Sequence, residues 1–262
     1  MRNINLKNIS IEIKLIAVIS FFSCLFLLLK VANSALYINI LKQLALFSNF
    51  KVFNFRIWQF ITYSFIHADL LHLVFNMFML YLFSMLFFTF FNKKQFLKAF
   101  FLGGIAAGVF YFLIATVFNI NTFVVGASGA IMAVFFTVVG YNPKMRVHLI
   151  IFGNIAIFYI AIAFLVFDVL QLFFANAGGH LAHIGGSLFG FCYGKFLGGF
   201  IHFPSKVKSQ SKLKTVHKKQ QLSKFSNETD IQSQVDTILD KISKSGYESL
   251  TAAEKEFLFK QK

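Results

Sequence analysis

The sequence predicts an all-α membrane protein, a bundle of six transmembrane helices with a short fourth helix and a small cytoplasmic helical tail. Three observations carry this prediction. The chain is 57% hydrophobic and only 13% charged, with a mean hydropathy of +0.69, whereas ordinary soluble domains carry roughly 25% charge. Six apolar segments recur along it, at residues 15–31, 70–91, 96–118, 128–141, 149–167 and 180–200. The charges cluster outside those segments, and the two termini and every second connection between spans are basic.

Each element follows from its own residues. A hydrocarbon core of about 30 Å takes about 20 apolar residues as a helix, and in lipid a helix is favoured because it satisfies its own backbone polar groups. Residues 15–31 form the first such span. The Ala32-Asn33-Ser34 that follows could pass for a signal-peptidase site, but cleavage would leave five spans and strand one terminus on the wrong side. Residues 32–69 make a long connection with only Lys42, Lys51, Arg56 and Asp69 as charges. Its apolar content suits a segment half-sunk in the outer interface, with Trp58 and Tyr63 at headgroup level. The second and third spans are long enough to cross. The fourth has 14 residues, too few to cross the core, and suits a helix that begins below the surface at the base of a water-filled cavity.

Loop charges set the orientation. Lys93-Lys94 separates spans two and three, and Lys144 and Arg146 separate spans four and five. Arg2, Lys7 and Lys14 precede the first span, and seven lysines with no acid lie between Lys206 and Lys224. Six spans put all four basic stretches on one side, while residues 119–125 carry no charge and residues 168–179 only Asp168. The positive-inside rule then places both termini in the cytoplasm and Ser128 toward the outer face. The net charge of +15 belongs to this pattern. Lysines next to a span hold a tail to anionic lipid, and no aromatic interleaving or basic helix face points to nucleic acid. Cys24 and Cys192 have no metal-ligand spacing and read as buried small apolar residues.

Several polar residues stand out within the apolar segments. Ser128 opens the fourth span in Gly126-Ala127-Ser128-Gly129. The glycines let backbone N–H groups approach a bound carbonyl, and the helix N-terminus adds unpaired donors that can hold an oxyanion. His183 lies in the sixth span, and an ionisable group at membrane depth tends to mark function. Around it Gly178, Ala182, Gly186 and Gly190 recur every four residues, a stripe on which another helix can lie closely. If the fourth span packs there, His183 reaches Ser128 at about 3 Å, as a general base must. His72 and Asn76, four residues apart, share one face of the second span and could donate to a developing oxyanion. His67 is off that face and reads as structural.

Trp58, His72-x3-Asn76, Gly126-Ala-Ser128-Gly129 and the glycine helix around Ala182-His183 together resemble the rhomboid family of intramembrane serine proteases, in the family's order, over roughly residues 15–200. The resemblance implies a rhomboid-like bundle that cleaves transmembrane helices of other proteins, with no metal or organic cofactor. It implies Ser128 as nucleophile, His183 as general base, and His72, Asn76 and the Ser128 N–H as the oxyanion hole. Gly126, Gly129 and Gly186 are supporting residues. It also implies a multi-pass protein of the bacterial inner (plasma) membrane, with transmembrane proteins and the bilayer as partners; oligomeric state is not legible. Two positions depart from the family: Gln59 stands where an Arg is frequent, and Met132 where many relatives carry a Tyr stacked on the histidine. The dyad has no aspartate, since the nearest acids, Asp69 and Asp168, lie at span ends where neither is placed to serve.

Two other functional classes compete. A non-cleaving rhomboid-like client-binding protein would not need both Ser128 and His183. A small transporter should show paired charges or broken helices near the midplane, and neither is visible. The expected domains are a membrane domain at 1–202, a basic linker at 203–229 and a helical extension at 230–262. In the last, Ile231, Val235, Ile238, Leu239 and Ile242 recur at helical spacing, Gly246 ends the run, and Thr251-x-x-Glu254 forms a capping box.

Overall fold

In a computed structural model of the chain, the residues described are 9–149, 153–174, 176–199 and 235–259. Arg2, Lys7, Ile231 and the lysine-rich stretch lie outside them. The chain divides into two compact units, Met1–Phe203 and Pro204–Lys262.

The first unit is helical. Its long helices are α1 (Ile11–Ala32), α5 (Leu70–Phe88), α6 (Lys93–Val117), α7 (Ser128–Tyr141), α8 (Ile157–Gln171) and α9 (Ala177–Leu197). Among the described residues, α1, α5 and α6 are long and apolar enough to cross a membrane, while α7 and α8 are shorter apolar helices. Polar side chains close several helix starts. Asp69 accepts from the His72 N–H at 2.8 Å to cap α5, and Asn92 with Gln95 forms a full capping box on α6. Asn176, at a left-handed φ of 55°, caps α9 by accepting from the Gly179 N–H. Such caps satisfy donors that the first helical turn leaves unpaired.

The connection between α1 and α5 is folded. It holds α2 (Ser34–Leu44), strand β1 (Leu46–Phe47), α3 (Phe50–Phe53), α4 (Gln59–Thr62) and one tight turn at Tyr63–Phe65. Gln59 is fully buried and donates to the Lys42 carbonyl at 2.8 Å, while Trp58 donates its ring N–H to the Gln43 carbonyl at 2.8 Å. The glutamine thus ties α4 to the end of α2. β1 pairs antiparallel with β2 (Phe123–Val124), Leu46 opposite Val124, which fastens this connection to the residues just before Gly126.

Helix α7 sits at the centre. Every residue from Gly129 to Gly140 is buried, with α5, α6 and α9 packed around it. The α7–α9 seam brings backbone against backbone: a Cβ on Gly186, Gly190 or Gly194 would collide with the carbonyl of Gly129, Ala133 or Thr137, and one on Gly140 with that of Phe191. Without a hydrophobic force between helices in lipid, such close approach is what holds them together.

Two expectations are corrected. The fifth helix starts at Ile157, eight residues later than the apolar segment, because β3 (Arg146–Leu149) pairs antiparallel with β4 (Gly153–Ala156), Leu149 opposite Gly153. Gly153, the first residue of β4, takes a φ of +68°. That helix also runs on to Gln171, past Phe167. Cys24 and Cys192, read as buried, are both exposed, since each lies on an outward face of its helix.

The second unit contains α10 (residues 235–245) and α11 (Ala252–Phe259), joined by Gly246 at a φ of +77°. Glu254 accepts from the Thr251 N–H at 2.7 Å and the Glu254 N–H donates back to the Thr251 hydroxyl at 3.3 Å. Lys241 meets Glu254 at 2.9 Å across the two helices.

Candidate active site

Ser128 is the first residue of α7 and follows a strained turn. Gly126 has a φ of +115°, and a Cβ there would lie 2.8 Å from a ring carbon of His72, so only glycine admits both the backbone and the ring. Its N–H donates to the Tyr63 carbonyl at 2.8 Å, and the Ala127 N–H donates to His67 Nε2 at 3.3 Å. The turn is therefore anchored to the first connection on both sides.

Across the glycine seam, α9 presents His183. Its Nε2 lies 2.7 Å from the Ser128 hydroxyl oxygen. Its Nδ1 lies 2.8 Å from Asp168 Oδ1, and His180 Nδ1 lies 2.7 Å from the same oxygen. A carboxylate only accepts, so both Nδ1 atoms carry the hydrogen. His183 Nε2 is then the bare nitrogen, and the serine hydroxyl donates to it.

This placement of Asp168 corrects the reading that no acid serves the histidine. The longer C-terminal end of α8 puts Asp168 inside the last helical turn, facing α9, where it is 2% exposed. Asp69, by contrast, is occupied as the cap of α5. His180 was likewise missed. Its position three residues before His183 puts both on one face of α9, which was the available signal.

A cavity of about 240 Å³ opens on these groups, lined by His72, Asn76, Met79, Ser128, Met132, Phe164, Asp168 and His183 among others. The four expected site residues thus border one space. Asn76 is buried and gives one amide hydrogen to the His72 carbonyl at 2.9 Å. Its second N–H remains for the cavity, and its Oδ1 has no partner among the described residues. Met132 forms part of the apolar wall, 6% exposed. The ring paired edge-on with His183 is that of His180, 5.5 Å between centroids.

Asp168, His180 and His183 are the described residues that could hold a metal ion, their ligand atoms all within 4.8 Å of one another. Both nitrogens converge on one carboxylate oxygen at hydrogen-bond length, rather than surrounding a common centre.

A family model, the Rhomboid domain, matches residues 54–200. A second, a Family of unknown function (DUF6576), matches residues 218–260. No curated protein matches the chain.

Proposed function

Because the chain belongs to the rhomboid family, with the domain match covering more than half its length, we propose that it is an intramembrane serine endopeptidase acting through Ser128 and His183. The observation that carries the proposal is the 2.7 Å contact between the Ser128 hydroxyl and His183 Nε2, facing a cavity. Nucleophile and base within hydrogen-bond reach is the geometric signature of an activated serine.

The reaction follows from the atoms present. Ser128 Oγ attacks the scissile carbonyl carbon while its proton passes to His183 Nε2. Negative charge gathers on the carbonyl oxygen, where the Ser128 N–H at the start of α7, the His72 ring and the free Asn76 N–H can donate to it. His183 returns the proton to the leaving amine, the C–N bond breaks, and an ester to Ser128 remains. Water then attacks the ester carbonyl, giving a proton to His183; as the bond to Ser128 Oγ breaks, His183 returns that proton to Oγ and the acid leaves. Gly126 keeps the turn open for the His72 ring, while Gly129 and Gly186 keep α7 and α9 close enough for the proton transfer.

In this reading α1, α5, α6, α7, α8 and α9 are the six membrane helices of a domain at 1–202. The basic linker at 203–229 lies against anionic lipid, and the extension at 230–262 is cytoplasmic. Lys93, Lys94, Lys144 and Arg146 support cytoplasmic termini, and the proposed location is a bacterial inner membrane. The substrates are transmembrane helices cut near the outer face, with a small residue before the cleaved bond by family resemblance.

A fluorophosphonate probe on the purified full-length protein tests the proposal. Labelling that disappears in Ser128→Ala supports it, and a wild-type protein that neither labels nor cleaves favours a client-binding role.

A further inference from the structure

We propose that Asp168 is a positioning residue for the general base, turning the Ser128–His183 pair into a three-residue relay. The inference rests on the protease reading above and adds an acid to it. Three observations converge. Asp168 is 2% exposed and sits in the last turn of α8, facing α9. Its Oδ1 takes two hydrogen bonds, from His183 Nδ1 at 2.8 Å and from His180 Nδ1 at 2.7 Å. The opposite edge of the His183 ring already meets the serine hydroxyl at 2.7 Å.

The glycine seam fixes where the backbone of α9 lies, but not how an imidazole turns about its last torsion, which is broad and roughly two-fold. Nor does it fix which nitrogen carries the hydrogen. Met132, Phe164 and Phe167 on the cavity wall offer at most the weak acceptor of a thioether, whereas the hydrogen bond that His183 Nδ1 makes is with Asp168. A carboxylate on the far edge settles both. It requires hydrogen on Nδ1, leaves the Nε2 lone pair for the serine proton, and stabilises the imidazolium when that proton arrives. His180 holds the same carboxylate oxygen from the preceding turn of α9, so Asp168 Oδ1 takes two donors from one helix, while its Oδ2 has no partner among the described residues. Asp168 itself touches neither substrate nor the reacting atoms; it acts through His183.

The experiment compares the full-length enzyme with Asp168→Asn, His180→Gln and His183→Ala in detergent, reading cleavage kinetics on a transmembrane-helix substrate, thermal stability and the one-dimensional proton NMR spectrum. An amide at position 168 can present N–H to Nδ1 and favour the wrong tautomer. Asp168→Asn should therefore lower kcat on the order of 10²-fold or more, with KM within about threefold and folding retained. A far-downfield N–H resonance should be present in the wild type and lost in Asp168→Asn and His183→Ala. Retention of that resonance in His180→Gln would assign it to the His183–Asp168 bond.

The two hypotheses fail separately. A wild type that cannot cleave refutes the protease reading, yet the resonance still reports whether Asp168 orients His183. Asp168→Asn turning over at the wild-type rate, or no such resonance in the wild type, overturns the relay. A loss of activity on chelation as large as that in Asp168→Asn would also overturn it, because the cluster would then hold a cation instead of a shared hydrogen.

Discussion

Among the described residues, two serine–histidine pairs have almost the same separation. Ser128 and His183 meet at 2.7 Å; Ser23 on α1 and His67, just before α5, meet at 2.8 Å. They differ in what surrounds them. Ser23 also donates to the Phe65 carbonyl at 2.9 Å, and His67 Nε2 accepts from the Ala127 N–H at 3.3 Å. Both residues are 0% exposed, so every strong partner is protein and no substrate atom can approach. His183 keeps 24% of its side chain exposed and borders the cavity. Separation alone therefore does not make a nucleophile. Access to a carbonyl and a far-side acceptor for the imidazole N–H distinguish the second pair, while the first is a clasp that joins α1 to the turn carrying Ser128.

Substitutions test that contrast. The largest expected effect is Ser128→Ala, which should lower turnover by about 10⁶-fold, on the scale of other serine proteases. Normal cleavage by the purified variant would reduce both pairs to packing. Asn76→Ala should lower kcat about 10²–10³-fold if its free N–H meets the oxyanion; an unchanged rate would make Asn76 a partner of the His72 carbonyl and nothing more. Ser23→Ala should behave in the opposite way. It leaves the buried His67 Nδ1 without its partner, at a cost of about 1–3 kcal/mol in stability, measured by unfolding in detergent. Turnover per folded molecule should stay near wild type, and a catalytic loss without a stability loss would dissolve the distinction.

The smallest effect concerns a pair open to water. The Glu254 carboxyl is held down to about 2, first by the Lys241 ammonium and then by the Thr251 N–H and hydroxyl. Its folded-state value lies below the ordinary 4.5, so its stabilisation is complete above that pH and is lost as pH falls toward about 2. Hydrogen exchange of residues 235–259 in the full chain, corrected for intrinsic rates, should quicken across that window. An unchanged rate would show that the exposed pair contributes nothing, as many such pairs do.

The sequence marked some of this and concealed the rest for physical reasons. The α7 bounds coincide with the apolar segment 128–141 because glycines and a polar turn punctuate its start and Asn142 its end. The small-residue stripe on α9 was legible because its four-residue period is local. The fifth helix was misplaced because the apolar residues of 149–156 fit a helix or a strand equally in composition; β4 depends on pairing with residues 146–149. That displacement also hid Asp168. With the helix ended at Phe167 the acid reads as loop, whereas four more residues put it opposite His183. Ser23 resembled any serine in an apolar run, and only a contact 44 positions away gives it a role. Position along the chain located the candidate nucleophile and base; three-dimensional packing was needed to find what aims them.

The glycine seam between α7 and α9 has a thermodynamic consequence. Its surfaces come together out of lipid rather than out of water, so forming it changes little of the hydration that gives soluble proteins their large heat-capacity change on unfolding. Its strength comes instead from dispersion between closely spaced backbones. A contact of that kind depends on distance far more than on temperature. The alignment of Ser128 with His183 should accordingly hold across a wide thermal range and yield to a single added methyl group at Gly186.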